Sequence, residues 1–243
     1  MRVIRLFVAM PLMAGEEAVL PPDASHHVAV VLRCRAGQPV ALFNGTGIEA
    51  QATVRAADKR GTVVQIDSVL TQDCESPLHI HLAIGISRGE RMDFVLQKST
   101  ELGVARITPL WCDRTEVRLD ADRQAKRLQH WQQVMVSACE QSGRTRLPVL
   151  DAPCDSQSFI PEADAQYRLV LQPGLTRLPF GGLPRPASIA LLVGPEGGLS
   201  ETEVSAAETA GYRPWTLGPR VLRTETAPLA ALSVLQYLWG DFG

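Results

Sequence analysis

The sequence predicts an α/β protein of two domains: a small β-rich N-terminal domain and a C-terminal domain built on a mainly parallel sheet. Three observations predict it. Up to about residue 72, short apolar runs alternate with turn signals, the strongest being Asn44-Gly45-Thr46-Gly47. From Leu78 onward, apolar strands alternate with segments of helical periodicity. Between them, Thr71 to Pro77 is polar and ends in proline, which sets domains of 1–72 and 73–243.

In the first domain, Arg2 and Arg5 precede the apolar run Leu6 to Ala14. A secretory leader is a poor reading, because the run is short, Pro11 interrupts it and no small-x-small cleavage site follows. A first strand and loop fit better. Val28 to Leu32, Pro39 to Phe43, Ile48 to Arg55 and Thr62 to Ile66 continue the series, with a turn at Asp58 to Gly61, and make a small barrel or sandwich. His26 and His27 are adjacent and cannot share a strand face, so a turn or helix cap suits them. Arg2, Arg5, Arg33 and Arg35 are either solvated surface or, as a group, phosphate contacts.

In the second domain, Leu78 to Ile86 alternates strictly and places His79 and His81 on the face opposite the leucines and isoleucines. No third ligand accompanies the histidines, so no metal is expected. Ser87-Arg88-Gly89 leads into a helix from Glu90 to Leu102 with Met92, Val95, Leu96, Ser99 and Leu102 inward and Gly103 as its stop. Lys98 lies on the other side with Asp93, Gln97 and Glu101. Arg106 to Trp111 is a strand. Asp120 or Asp122 opens a long helix packed through Leu128, Trp131, Val134, Met135 and Ala138. It ends at Ser142-Gly143-Arg144-Thr145-Arg146, whose arginines either complement the helix dipole or hold phosphates. Tyr167 to Leu171 is a strand running into Gln172-Pro173-Gly174, and Pro179 to Pro186 connects onward.

The most informative stretch is Leu191 to Ala227. The strand Ile189 to Val193 enters Gly194-Pro195-Glu196-Gly197-Gly198, where glycines permit positive φ and close approach to the backbone. Ser200 and Glu203 have capping-box spacing, so a helix starts there, and Gly211 stops it. A short strand, Trp215 to Leu217, feeds a second loop, Gly218-Pro219-Arg220-Val221-Leu222-Arg223. That loop ends at an N-cap, Thr224 or Thr226, with Pro228 in the first turn of the last helix. Two strand-loop-helix corners this close in sequence predict one ligand pocket at the carboxyl ends of parallel strands.

Other readings fall away. There is no GxxxxGK[ST], so a nucleoside-triphosphatase lacks its lysine, and no GxGxxG after a first strand, so a nicotinamide-binding domain is a poor fit. A net charge of −2 excludes a globally basic nucleic-acid binder and leaves only a local patch. Five scattered cysteines without a CxxC pair argue against a disulfide framework or zinc knuckle and fit a reducing cytosol, hence a cytoplasmic protein. Ala227 to Trp239 is too short to span a membrane.

GPEGGLSETE and LGPRVLRTETA resemble the paired signatures of the ribosomal RNA small subunit methyltransferase E family, which belongs to the SPOUT class of S-adenosylmethionine-dependent methyltransferases. Gln97-Lys98-Ser99-Thr100-Glu101-Leu102-Gly103-Val104, Glu140-Gln141-Ser142-Gly143-Arg144 and His27 with Val31-Leu32-Arg33 match further family segments, so the resemblance covers nearly the whole chain. Pro228 departs from the pattern, at a position where a helix tolerates proline. The resemblance implies a PUA-like β-barrel followed by a SPOUT domain with a trefoil knot. It also implies a homodimer, and methylation of N3 of one uridine in the decoding region of 16S ribosomal RNA, with either the free RNA or the small ribosomal subunit as the substrate.

Under that resemblance S-adenosyl-L-methionine is the cofactor. It would be held by Leu171, Gln172, Gly194, Pro195, Glu196, Gly197, Gly198, Leu217, Gly218, Leu222, Arg223, Thr224, Thr226 and Ala227. N3 carries a proton that must leave, and negative charge then spreads over the ring, so an arginine aimed there stabilises it: Arg223 first, Arg220 second. Glu196 or Glu225 accepts the proton, or else Glu196 shapes its loop and Glu225 caps the final helix. RNA contacts fall to Arg2, Arg5, Arg33, Arg35, Arg88, Lys98, Arg114, Arg144 and Arg146. Competing readings are a SPOUT enzyme acting on transfer RNA or ribose 2′-OH, and an RNA-binding assembly factor without catalysis.

Overall fold

A computed structural model of the chain describes residues 3–58, 61–71, 74–116, 121–174 and 182–243. Arg2 and Asp120 lie outside the described residues, as do parts of the Asp58–Gly61, Thr71–Pro77 and Pro179–Pro186 segments. The chain divides into two compact units: Met1–Glu75 with Val136–Leu147, and Ser76–Met135 with Pro148–Gly243.

The first unit carries β1 (Ile4–Phe7), β2 (Glu17–Val19), α1 (Pro22–His26), β3 (Pro39–Phe43), β4 (Ile48–Asp58) and β5 (Gly61–Thr71). They form one five-stranded sheet in the order β1-β3-β4-β5-β2, antiparallel except for β1 against β3. Leu6, Val28, Val40, Leu42, Val54 and Val64 fill its core. One expectation fails here. His27–Val31 is a π-helical turn continuing α1, not a strand. Pro22 starts a helix at its first position, and only Val28 of the apolar run is buried while Val30 and Val31 are exposed, so the period-2 burial of a strand is missing.

The second unit is a seven-stranded, wholly parallel sheet. Its strands are β6 (His79–Gly85), β7 (Arg106–Trp111), β8 (Val149–Leu150), β9 (Cys154–Asp155), β10 (Tyr167–Leu171), β11 (Ser188–Val193) and β12 (Arg213–Trp215), in the order β12-β10-β11-β6-β7-β8 with β9 also on β7. Being covered on both faces, the central strand β11 reads as a continuous apolar run from Ile189 to Val193. On one face, Ile80, Leu82 and Ile84 pack with α2 (Glu90–Glu101), the first part of α3 (Ala121–Ser142) and α6 (Thr226–Trp239). On the other, Ala83, Ala190 and Leu192 pack with α4 (Ser156–Glu162) and α5 (Glu201–Thr209).

β4 and β5 run on to Asp58 and Thr71, past the expected Arg55 and Ile66, and two further differences bear on the site. β12 spans Arg213–Trp215 rather than Trp215 to Leu217, because its ladder with Leu169–Leu171 ends there and the Thr216 hydroxyl donates instead to the Gln172 carbonyl, 2.9 Å away. α6 is not capped by a threonine side chain. Glu225 is its N-cap residue without a side-chain bond, and the N–H groups of Thr226 and Ala227 donate to the Arg223 carbonyl.

Candidate active site

The carboxyl ends of β10, β11 and β12 and the loops that follow β11 and β12 enclose a cavity of about 370 Å³. That is the scale of a small-molecule site. Leu171, Val193, Leu199, Leu217 and Leu222 give it apolar walls. The main chain of Gly194 to Gly198 forms one edge, and Gln172, Thr216 and Thr224 supply polar groups. Gly218, Arg223 and Thr226 are not on its lining, whereas Arg114, Trp215, Thr216 and Arg220 are. A larger, shallower groove of about 840 Å³ between α4 and α5 has Glu201 as its single ionisable lining residue, so it brings no reactive pair together.

The glycine loop is held from three sides. A Cβ on Gly194 would stand 2.7 Å from the Leu199 nitrogen, so the loop folds over itself too tightly for a side chain. From the helix side, Ser200 accepts the Glu203 N–H at 3.2 Å while Glu203 accepts the Ser200 N–H at 2.7 Å, the expected capping box. Glu203 is fully buried and also accepts the Asp113 N–H at 3.1 Å and the Ser156 hydroxyl at 2.6 Å. From β7, Asp113 accepts the Ser200 hydroxyl at 2.6 Å, and the Arg114 guanidinium donates to the Gly197 carbonyl at 3.0 Å.

Glu196 is tied to the start of α2. It accepts the Arg88 N–H and the Arg91 guanidinium, each at 3.0 Å. Burial alone would raise its pKa, but these hydrogen bonds and the Arg91 charge outweigh it and hold the carboxyl below the usual range. A carboxylate stabilised in its charged form is a weak proton acceptor, so the geometry favours loop shaping for Glu196. Glu225 bonds no cap N–H and lies 3.9 Å from Arg223, whose side chain is 82% exposed. Of the two arginines proposed for the chemistry, both are exposed, and Arg220 lies on the cavity lining while Arg223 does not.

The comparisons with known proteins bear on what this cavity holds. The RNA methyltransferase domain family matches residues 74–236, and the RNA methyltransferase PUA domain family matches residues 20–67. The chain belongs to the ribosomal RNA small subunit methyltransferase E family. A member from Buchnera aphidicola (of Schizaphis graminum) is 32% identical, covering 99% of this chain and 98% of the relative. The member from Bacillus subtilis is 29% identical over 96% of each. Among solved structures, the family member from Neisseria gonorrhoeae bound to S-adenosyl methionine is 39% identical with a TM-score of 0.92, and both chains are fully covered. A Legionella pneumophila protein in complex with the cofactor SAM is 44% identical with a TM-score of 0.96, again over the whole of both chains.

The arginines that the methyltransferase E resemblance assigned to RNA divide by environment. Arg5 is largely buried, paired with Glu49 at 2.8 Å and donating to the carbonyls of Cys139 and Gly143. Arg144 is 5% exposed and paired with Glu75. Both are held by carboxylates of the same unit. Arg114 clamps the glycine loop, Arg88 pairs with Glu116, and Lys98 donates to both oxygens of Glu101 at 2.7 and 3.0 Å. Arg33, Arg35 and Arg146 are exposed. Sequence reasoning missed Trp215 and Thr216 on the wall and Asp113 and Ser156 behind the loop. The capping-box glutamate was the only local signal pointing toward the last two.

Proposed function

We propose that this chain is an S-adenosylmethionine-dependent methyltransferase of small-subunit ribosomal RNA, acting on N3 of one uridine in 16S RNA. The observation that carries this reading is the two-loop cavity at the carboxyl ends of β10, β11 and β12, in a family whose solved relatives hold the cofactor. The lining suits that ligand. Apolar walls and a side-chain-free glycine edge fit a flat purine, and the polar groups of Gln172, Thr216 and Thr224 fit a ribose or amino-acid end. When bound, S-adenosylmethionine supplies an electrophilic methyl group.

The chain's own residues do the rest. The loops fix the donor so that an extruded uracil meets it in line, and alignment is a large part of catalysing a displacement at carbon. With the donor bound, its sulfur–methyl bond would break as the N3–methyl bond forms, S-adenosylhomocysteine would leave, and the N3 proton would be lost. Arg220, on the cavity lining, offsets the negative charge that develops on the ring. Glu225, or water beside it, takes the proton, because Glu196 is committed to Arg88 and Arg91. Arg33, Arg35 and Arg146 contact phosphates, with Arg223 reaching RNA from the rim. On the same reading the first sheet closes as a PUA-like barrel, the second unit carries the trefoil knot, and the protein works as a cytoplasmic homodimer on RNA of the small subunit.

The test is nucleoside mapping of 16S RNA from a strain lacking the gene, with and without the protein restored. One 3-methyluridine should vanish and return. An unchanged map, or a lost methyl on transfer RNA or a ribose, overturns the assignment.

A further inference from the structure

We propose that Arg114, beside the first glycine loop, is the counter-ion for the carboxylate of S-adenosylmethionine; this rests on the methyltransferase reading above. The charge balance of the cavity points to it. Three charged side chains line the cavity: Arg114, Arg220 and Glu196. Glu196 is already matched, because it accepts the Arg88 N–H and the Arg91 guanidinium. Neither arginine on the lining forms an ion pair among the described residues. The cavity therefore presents two unmatched positive charges to its ligand. The donor carries one anionic group, its carboxylate, while its sulfonium and ammonium groups are repelled by a cation.

Arg114 is held in place and Arg220 is not. The loop after β7 makes a tight turn, in which the Thr115 N–H donates to the Cys112 carbonyl at 2.9 Å and the Thr115 hydroxyl accepts the Cys112 N–H at 3.0 Å. The stem of Arg114 packs on the glycine loop, since a Cβ on Gly197 would stand 3.0 Å from the Arg114 Cβ. Its guanidinium donates to the Gly197 carbonyl at 3.0 Å. That bond takes one N–H of a five-donor group and ends on a neutral oxygen, so the charge is fixed but not neutralised. Arg220 makes no side-chain hydrogen bond among the described residues. A cation fixed before the ligand arrives loses little side-chain freedom on binding, which suits it to a ligand held in one pose.

The assignment divides the cavity by chemistry. The apolar wall of Leu171, Leu217 and Leu222 takes the purine, and Arg114 takes the carboxylate at the Gly197 end. Arg220 belongs to the second loop, where a Cβ on Gly218 would stand 4.0 Å from its Nη2 nitrogen, and stays available for charge on the uracil.

The test is calorimetry on the full-length protein with S-adenosylhomocysteine and with its carboxamide, which keeps the size and the ammonium group but lacks the negative charge. Wild type should prefer the acid. Arg114→Met keeps the stem against Gly197 and removes the charge. It should bind the acid roughly tenfold more weakly, the scale of one charge-assisted hydrogen bond, and the carboxamide within about twofold of wild type. A residue that only clamps the loop gives a different result, because loosening the loop weakens both ligands alike. Arg114→Lys keeps a cation without the planar fork and should retain part of the preference for the acid. Equal losses for both ligands in Arg114→Met, or no loss for either, overturn the assignment. In the second case, weaker binding of a 16S decoding-region transcript by the same variant would give Arg114 to an RNA phosphate instead. Thermal melting checks the fold, and should Arg114→Met not fold, Arg114→Gln makes the same comparison. Wild type that binds the two ligands equally sinks only the role of Arg114, whereas wild type that binds neither sinks the cofactor reading itself.

Discussion

Gly85 and Pro195 meet backbone to backbone: a Cβ on Gly85 would stand 2.4 Å from the Pro195 nitrogen. The end of β6 therefore sets the position of the glycine loop from beneath, and only a residue without a side chain allows the approach. Gly85→Ala should push Pro195 outward and disturb the edge of the cavity. The expected result is at least a tenfold loss of S-adenosylmethionine affinity by calorimetry; wild-type affinity would show that the loop position is set elsewhere.

Arg220 and Arg223 separate by the wall they face. Arg220→Ala should lower the rate of methyl transfer by about a hundredfold, in the range expected for losing one group that stabilises transition-state charge, with RNA and cofactor affinities preserved. Arg223→Ala should instead weaken RNA binding and leave single-turnover methyl transfer at saturating RNA near wild type. Single-turnover assays with tritiated cofactor read both. The reverse pattern would return the chemical role to Arg223.

Glu203 joins α5, α4 and the loop after β7 through hydrogen bonds from Ser200, Ser156 and Asp113. Glu203→Ala takes the acceptor from all three donors, buried Ser156 among them, and should cost on the order of 3 kcal/mol, seen as a lower chemical-denaturation midpoint. Glu203→Gln keeps the shape and one carbonyl oxygen, so it should cost less. It still turns an amide N–H toward the Ser200 N–H and should weaken cofactor binding.

His81 gives the fold a pH dependence. Burial is the main cause, with the Arg106 charge adding and Asp151 opposing, and together with His79 they hold its pKa down to about 4. Its ring bonds Thr108 at 2.7 Å, and Thr108 in turn donates to Asp151 at 2.5 Å. The unfolded chain protonates His81 near its ordinary 6.5 while the folded chain does not. Stability is therefore full above that pH and falls as the pH drops from 6.5 toward 4, by up to roughly 3 kcal/mol. Denaturation midpoints across that window should fall steeply for wild type and flatten for His81→Asn. Equal slopes would contradict the assignment.

Much of this was legible where the signals are local. Gly103 after the stripe of Met92, Val95 and Leu96 placed α2, Arg106 to Trp111 and Tyr167 to Leu171 read directly as strands, and Ser200 with Glu203 announced α5. The glycine pattern likewise located the loops that line the cavity. Contacts set by packing across long separations were not legible. Nothing near Arg5 or Arg144 indicates that Glu49 and Glu75 would claim them, and Arg114 lies 83 residues from the carbonyl it holds. The arginine pair around the second loop shows the same limit. Both residues look alike in sequence and both are exposed, and only the fold brings Arg220, and not Arg223, onto the cavity lining.

The most direct measurement is a crystal structure of this protein soaked with S-adenosylmethionine. The donor should lie between Gly194–Gly198 and Leu217–Leu222, with its purine against the apolar wall and its methyl group open toward Arg220. Density for the donor in the groove between α4 and α5, or anywhere outside the two loops, would contradict the account.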